Sequence, residues 1–174
     1  MSAFPDWKNY IVPQRRPFSG CVPTGFEIIL RAAKIEGIDF STFQDDFDLD
    51  KNNIPGTQQP RNNFFSVAAE IKLKYPFVDI GIKVFQKGEG VDKLKFIEKN
   101  ISEQRPILIS LALKPFGYDG WHIMIVVDSN SDELVLLNKV SINGVIEPCN
   151  INKHELVRIH ENYDGGNDVA YLNI

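Results

Sequence analysis

Trp121-His122-Ile123-Met124-Ile125-Val126-Val127-Asp128 is the stretch that decides the fold. Apolar side chains fill both alternating sets along it, the pattern of a strand covered by protein on its two faces. It predicts a central strand. Just upstream, Phe116-Gly117-Tyr118-Asp119-Gly120 is a turn-rich loop, and before it Pro106-Ile107-Leu108-Ile109-Ser110-Leu111 is a second short apolar run bounded by turn residues. Downstream, a polar turn at 129–132 leads to the strand Leu134-Val135-Leu136-Leu137-Asn138. Asn143-Gly144, set between Val140-Ser141-Ile142 and Val145-Ile146, is a strong hairpin signal. A helix over 152–160 and a last strand over 169–172 complete this half.

The N-terminal half reads differently. Residues 1–20 are rich in Pro, Gly and aromatics and predict an extended, packed arm. Phe26, Ile29, Leu30 and Ala33 recur at helical spacing, which predicts a helix over 23–36 with Gly37 as its stop. The stretch 38–61 is irregular, with one short helix near 43–47. A helix over 63–75 ends at Pro76, a strand follows over 78–85, and 91–103 is helical again. Helices first and antiparallel strands later define an α+β fold, with N-terminal helices packed on a C-terminal antiparallel sheet. No repeat, linker or low-complexity tract divides the chain, so residues 1–174 are expected to form a single domain.

At 174 residues the chain buries roughly two thirds of the surface its unfolded form exposes, enough for a core without disulfides or metal. With 19 basic against 23 acidic residues, the net charge of −4 gives no footprint for nucleic acid. No apolar run approaches the ~20 residues that span a bilayer, and no basic-then-apolar leader opens the sequence, so the expected compartment is the cytoplasm. Cys21 and Cys149 are too few for a disulfide framework. No metal or cofactor is expected either. His154-Glu155 opens like a zinc-binding H-E-x-x-H motif, but the position four residues after His154 is Arg158. Asp46, Asp48, Asp50 and Asn52 suggest a calcium loop, yet Asn53 and Gln59 stand where Gly and a bidentate Glu are needed. An acidic, solvated loop is the better reading.

Cys21 immediately precedes the first helix, with Pro23 in its opening turn and Thr24 and Glu27 in a capping-box pattern. A thiol there meets the positive end of the helix dipole, which favours thiolate. A small buried hydrophobe is the alternative, and position alone leaves both standing. His122 opens the central strand and needs a polar partner if its ring is buried. Asn138 follows sixteen residues later, across a turn centred near Asn130. That even separation sets the two directly opposite on one face, Cβ atoms about 5 Å apart. The amide would fix the imidazole tautomer. Asp128, six residues after His122, would lie about 20 Å along the strand and is too far to compete. Gln14, on the arm seven residues before Cys21, carries an amide N–H that could join the Cys21 N–H in an oxyanion hole.

Gln14, Cys21-Val22-Pro23-Thr24 opening a helix, Gly120-Trp121-His122 opening a strand and Asn138 on the next strand together resemble the papain-fold cysteine peptidases. Within these, the sequence is most similar to the branch holding the double-glycine leader peptidases of bacteriocin exporters and their stand-alone relatives. The likeness covers roughly residues 11–140. The branch commonly has Gly after the cysteine, where this chain has Val22, and Asp-Pro at the third catalytic position, where it has Asn138-Lys139. The resemblance implies a papain-like fold, Cys21 as nucleophile, His122 as base, Asn138 as orienter and Gln14 as oxyanion donor. Hydrolysis of a peptide or amide bond in a peptide or protein substrate is the implied activity. Acyl transfer or deamidation uses the same groups. A catalytically silent binding module that keeps the fold is the reading from another class.

Overall fold

The computed structural model describes residues 6–16, 19–54, 56–140 and 146–174, with the side chains of 138–140, 146 and 147 excepted. Eleven principal elements follow one another: α1 (Cys21–Ala32), α2 (Phe43–Phe47), α3 (Phe64–Lys74), β1 (Ile80–Val84), α4 (Gly90–Ser102), β2 (Ile107–Ala112), β3 (Trp121–Ser129), β4 (Glu133–Val140), β5 (Ile146–Asn152), α5 (Lys153–Asn162) and β6 (Asp168–Leu172). The α+β class holds. The strands form one antiparallel sheet in the order β1-β6-β2-β3-β4-β5. It is not a simple meander: β6 returns from the far end of the chain and inserts between β1 and β2. Helices also enter the C-terminal half, where α4 and α5 pack on each other and against the sheet.

The helices cover both faces of the sheet. On one, a Cβ at Gly25 of α1 would stand 3.2 Å from Leu108 Cδ2 and 3.6 Å from Ile123 Cγ2, so α1 lies close across β2 and β3. On the other, Phe96 of α4 meets Tyr171 of β6 with ring centroids 5.2 Å apart. The whole of β2 and Ile123 to Val127 of β3 are buried, as their unbroken apolar sequence requires. No helix among the described residues is long and apolar enough to cross a membrane.

Local chemistry shifts several expected boundaries. The first helix starts at Cys21 and stops at Ala32, because Lys34 adopts φ 56° and Ile35 N–H returns to Leu30 O at 3.2 Å. A left-handed residue with that hydrogen bond closes a helix before Gly37 is reached. The capping box does not form. Gly20 is the N-cap, Thr24 Oγ1 donates to Gly20 O at 2.6 Å, and Glu27 pairs with Arg31. Asn63 does cap α3, accepting from Ser66 N–H at 2.8 Å. The Asn143-Gly144 turn lies outside the described residues, but the strands it would join are paired, Val140 to Ile146. Cys149 lies in β5, opposite Leu136.

Candidate active site

α1 begins at Cys21, so the thiol sits on the first residue of a helix, half-buried. One turn on, Gly25 faces β3 at Ile123, the residue after His122. A cleft of about 800 Å³ opens at Cys21. The arm supplies Arg15 and Arg16 to its wall, the 50–60 loop supplies Lys51 and Ile54, and Asp119 and Trp121 face them from the entry to β3. The charge is therefore mixed, rather than chiefly acidic.

The thiol is less acidic than its helix position predicts. Burial pushes Cys21 up to about 11; hydrogen bonds from the N–H of Val22 and from its own N–H work the other way, and the Asp48 and Asp50 carboxylates add to the rise. Desolvation disfavours the charged form, and here it outweighs the helix terminus. Among the described residues no side chain hydrogen-bonds to the thiol.

Asp48, at 1 % exposure, is a buried carboxylate whose charge acts on Cys21. Ser19 Oγ donates to it at 2.6 Å, Asn62 Nδ2 at 2.7 Å and Asp50 N–H at 3.0 Å. Asp50 in turn accepts from the N–H groups of Arg61 and Asn62. These acids are not the solvated loop expected from sequence. Their lone pairs are taken up by protein donors that tie the 48–62 loop to the turn before α1.

Gln14 lies beside the nucleophile's helix. Its Cγ is 3.4 Å from where a Gly20 Cβ would stand, and one amide N–H donates to Arg16 O at 2.7 Å. His122 is half-buried at the start of β3, opposite Leu111. It is next to Trp121 in sequence but is not part of the cleft lining.

The expected register between His122 and Asn138 is corrected. Val126 pairs with Leu136 and Ile125 with Leu137, whereas a directly opposed His122–Asn138 pair needs Val126 across from Leu134. Two local features cause the offset. Asn130 Oδ1 accepts from Asp132 N–H at 2.9 Å and Glu133 N–H at 2.8 Å, which moves the turn onto 130–133. A bulge between Val126 and Asp128 then shifts the pairing by one. Continued to the start of β3, the register sets Asn138 beside Met124, diagonal to His122. Diagonal positions remain within reach of long side chains. The side chain of Asn138 itself lies outside the described residues.

Sequence reasoning missed Gln44, Asp48 and Asn62. Gln44 is 4 % exposed and spends its whole amide on the arm and α1. Asp48 stood out only as part of an acidic loop, and no local pattern marks Gln44 or Asn62, because their partners lie far along the chain, as Ser19 does from Asn62.

No protein-family model matches the chain, and no curated protein matches it. A crystal structure from Bacillus anthracis, described as a putative C39-like peptidase, superposes over 94% of each chain with TM-score 0.59 at 11% identity. That likeness establishes the fold: helices on a six-stranded antiparallel sheet in the papain-type arrangement of C39-like peptidases.

Proposed function

We propose that this protein is a thiol-dependent hydrolase of peptide or amide bonds, with Cys21 as nucleophile, His122 as base, Asn138 as orienter and Gln14 as oxyanion donor. The observation that carries it is Cys21 on the first residue of α1 at the foot of the cleft, beside the entry to β3, in a peptidase fold. Cys21 Sγ attacks the carbonyl carbon while the thiol proton passes to His122. The C–N bond breaks and His122 returns that proton to the leaving amine. Water then attacks the thioester, releasing the acid and restoring the thiol. Because burial holds the thiol protonated, proton transfer accompanies attack rather than preceding it. Gln14 and the Cys21 N–H would hold the oxyanion, a contribution of roughly 10²–10³ in rate per donor. An amine in place of water gives acyl transfer, and a side-chain amide as substrate gives deamidation.

The raised thiol pKa favours a second reading, a silent module that binds peptide in the same cleft. p-Nitrophenyl acetate separates the two. A burst of p-nitrophenolate with acetyl mapped to Cys21, lost in Cys21→Ala and slowed in His122→Ala, supports the hydrolase. An unmodified Cys21 in the folded parent supports the binding module.

A further inference from the structure

Gln44 belongs to none of the groups named above, yet its side chain meets the arm on both sides of Gln14. Its Nε2 donates to Pro13 O at 2.9 Å, and its Oε1 accepts from Arg15 N–H at 2.9 Å. The same amide reaches α1: Nε2 donates to Glu27 Oε2 at 2.9 Å, and Oε1 lies 2.8 Å from Thr24 Oγ1, whose one hydrogen is shared with Gly20 O. A primary amide has two donor hydrogens and two acceptor lone pairs. Both hydrogens and one lone pair are fully used, and the second lone pair faces the shared Thr24 hydroxyl.

The consequence is geometric. Residues 13 and 15 are pinned to one amide, and that amide is pinned to the opening turns of the helix that carries Cys21. Gln14, between the two pinned residues, is left lying over Gly20. Asp45, the next residue of α2, strengthens the attachment by accepting from Arg16 Nε at 3.1 Å and Nη2 at 3.0 Å. The 11–16 stretch, which has no regular secondary structure, is thus tied to the helix of the nucleophile. Oxyanion donors need that property, since a misplacement of about 1 Å can cost roughly 10²-fold in rate.

We propose that Gln44 is a positioning residue, clamping the Pro13–Arg15 backbone to α1 so that the Gln14 amide is held at the oxyanion site of Cys21. This rests on the hydrolase reading above. The role predicts coupling: Gln44 should matter only through Gln14. It also predicts selectivity among reactions at one sulfur. Acetylation by p-nitrophenyl acetate develops an oxyanion, whereas alkylation by iodoacetamide does not.

The test compares both reactions at Cys21 in the parent, Gln44→Met, Gln14→Ala and the double variant. Gln44→Met should slow acetylation by roughly 10²-fold and leave alkylation unchanged. In the Gln14→Ala background it should slow acetylation no further. Should Gln44→Met fail to fold, Gln44→Asn keeps the amide but is one methylene too short to meet the arm and α1 together, and the same cycle is read on it. Equal losses with and without Gln14, or equal losses in acetylation and alkylation, overturn the positioning role while leaving the hydrolase standing. A parent that forms no acetyl-Cys21 overturns the hydrolase reading, and the positioning role with it.

Discussion

Lys93, with none of its side chain exposed, donates from Nζ to the carbonyl oxygen of Gly166 at 2.6 Å. A second bond runs to Ser110 O at 3.0 Å, so one buried ammonium joins α4, β2 and the turn that precedes β6. That turn also abuts the cleft wall: a Cβ at Gly165 would stand 3.7 Å from Trp121 Cβ.

Burial holds the Lys93 ammonium down to about 8, against the partial support of Asp168. A lysine in the unfolded chain titrates near 10.4. Below pH 8 both states are charged and the folded state carries the desolvation penalty. Between about 8 and about 10.4 the folded state sheds its proton first, so this group's contribution to stability rises with pH. Urea unfolding of the parent and Lys93→Met at pH 7 and pH 10 should show the parent gaining relative to the variant. Parallel changes in the two proteins would remove Lys93 from the account.

Cys21 should alkylate slowly at neutral pH and faster as pH rises beyond 9, since its thiol is held near 11. Asp48 contributes to that elevation, so Asp48→Asn should shift the rate profile to lower pH. Mass-mapped iodoacetamide labelling from pH 6 to pH 11 gives both profiles. A plateau at or below pH 7 in the parent would show a thiolate stabilised by groups this conformation does not bring to the sulfur.

Gly166 and Gly117 both hold positive φ, at 71° and 84°, but differ in what surrounds them. A Cβ at Gly166 would lie 2.5 Å from Ala112 N, against backbone that cannot yield, while Gly117 has nothing within 4 Å. Gly117→Ala should cost about 1–2 kcal/mol, the strain of a left-handed residue alone. Gly166→Ala should cost more than about 4 kcal/mol, in the range reserved for major disruption. Thermal melts of the two variants check the ranking.

Asn138→Ala should reduce turnover of p-nitrophenyl acetate while leaving alkylation of Cys21 by iodoacetamide largely intact. An orienting amide acts on the angle and tautomer of the base in the reaction, not on access to the sulfur. A variant as active as the parent would leave the orienter unassigned.

The sheet's interior was legible because 107–111 and 121–127 are apolar on both faces, a pattern with few other solutions. Cys21, His122, Asn138 and Gln14 were legible as candidates through local context: a helix start, strand starts and a proline-rich arm. What escaped was set by distance or by competition. The His122–Asn138 register depended on a turn fixed by Asn130 and on a bulge of one residue, and neither leaves a periodic trace. The thiol's acidity depended on desolvation, which is decided by elements remote in sequence. The Thr24 hydroxyl is taken up between Gly20 O and Gln44 Oε1 instead of the capping box its spacing suggested.

The placement of β6 has a consequence for the order in which the molecule can be assembled. β1 has β6 as its sheet neighbour, and β2 reaches β1 only through it. A ribosome that has delivered residues 80–160 has released both flanks of the gap without the strand that fills it. During that interval two open edges are available to other chains, and unpaired edges are templates for aggregation. Closure joins segments about 60 to 90 residues apart, as Ile109 to Val169 and Ile80 to Leu172, and such non-local pairing slows folding. The nascent protein is therefore most vulnerable late in synthesis, and a chaperone that shields strand edges would act on this fold at that stage.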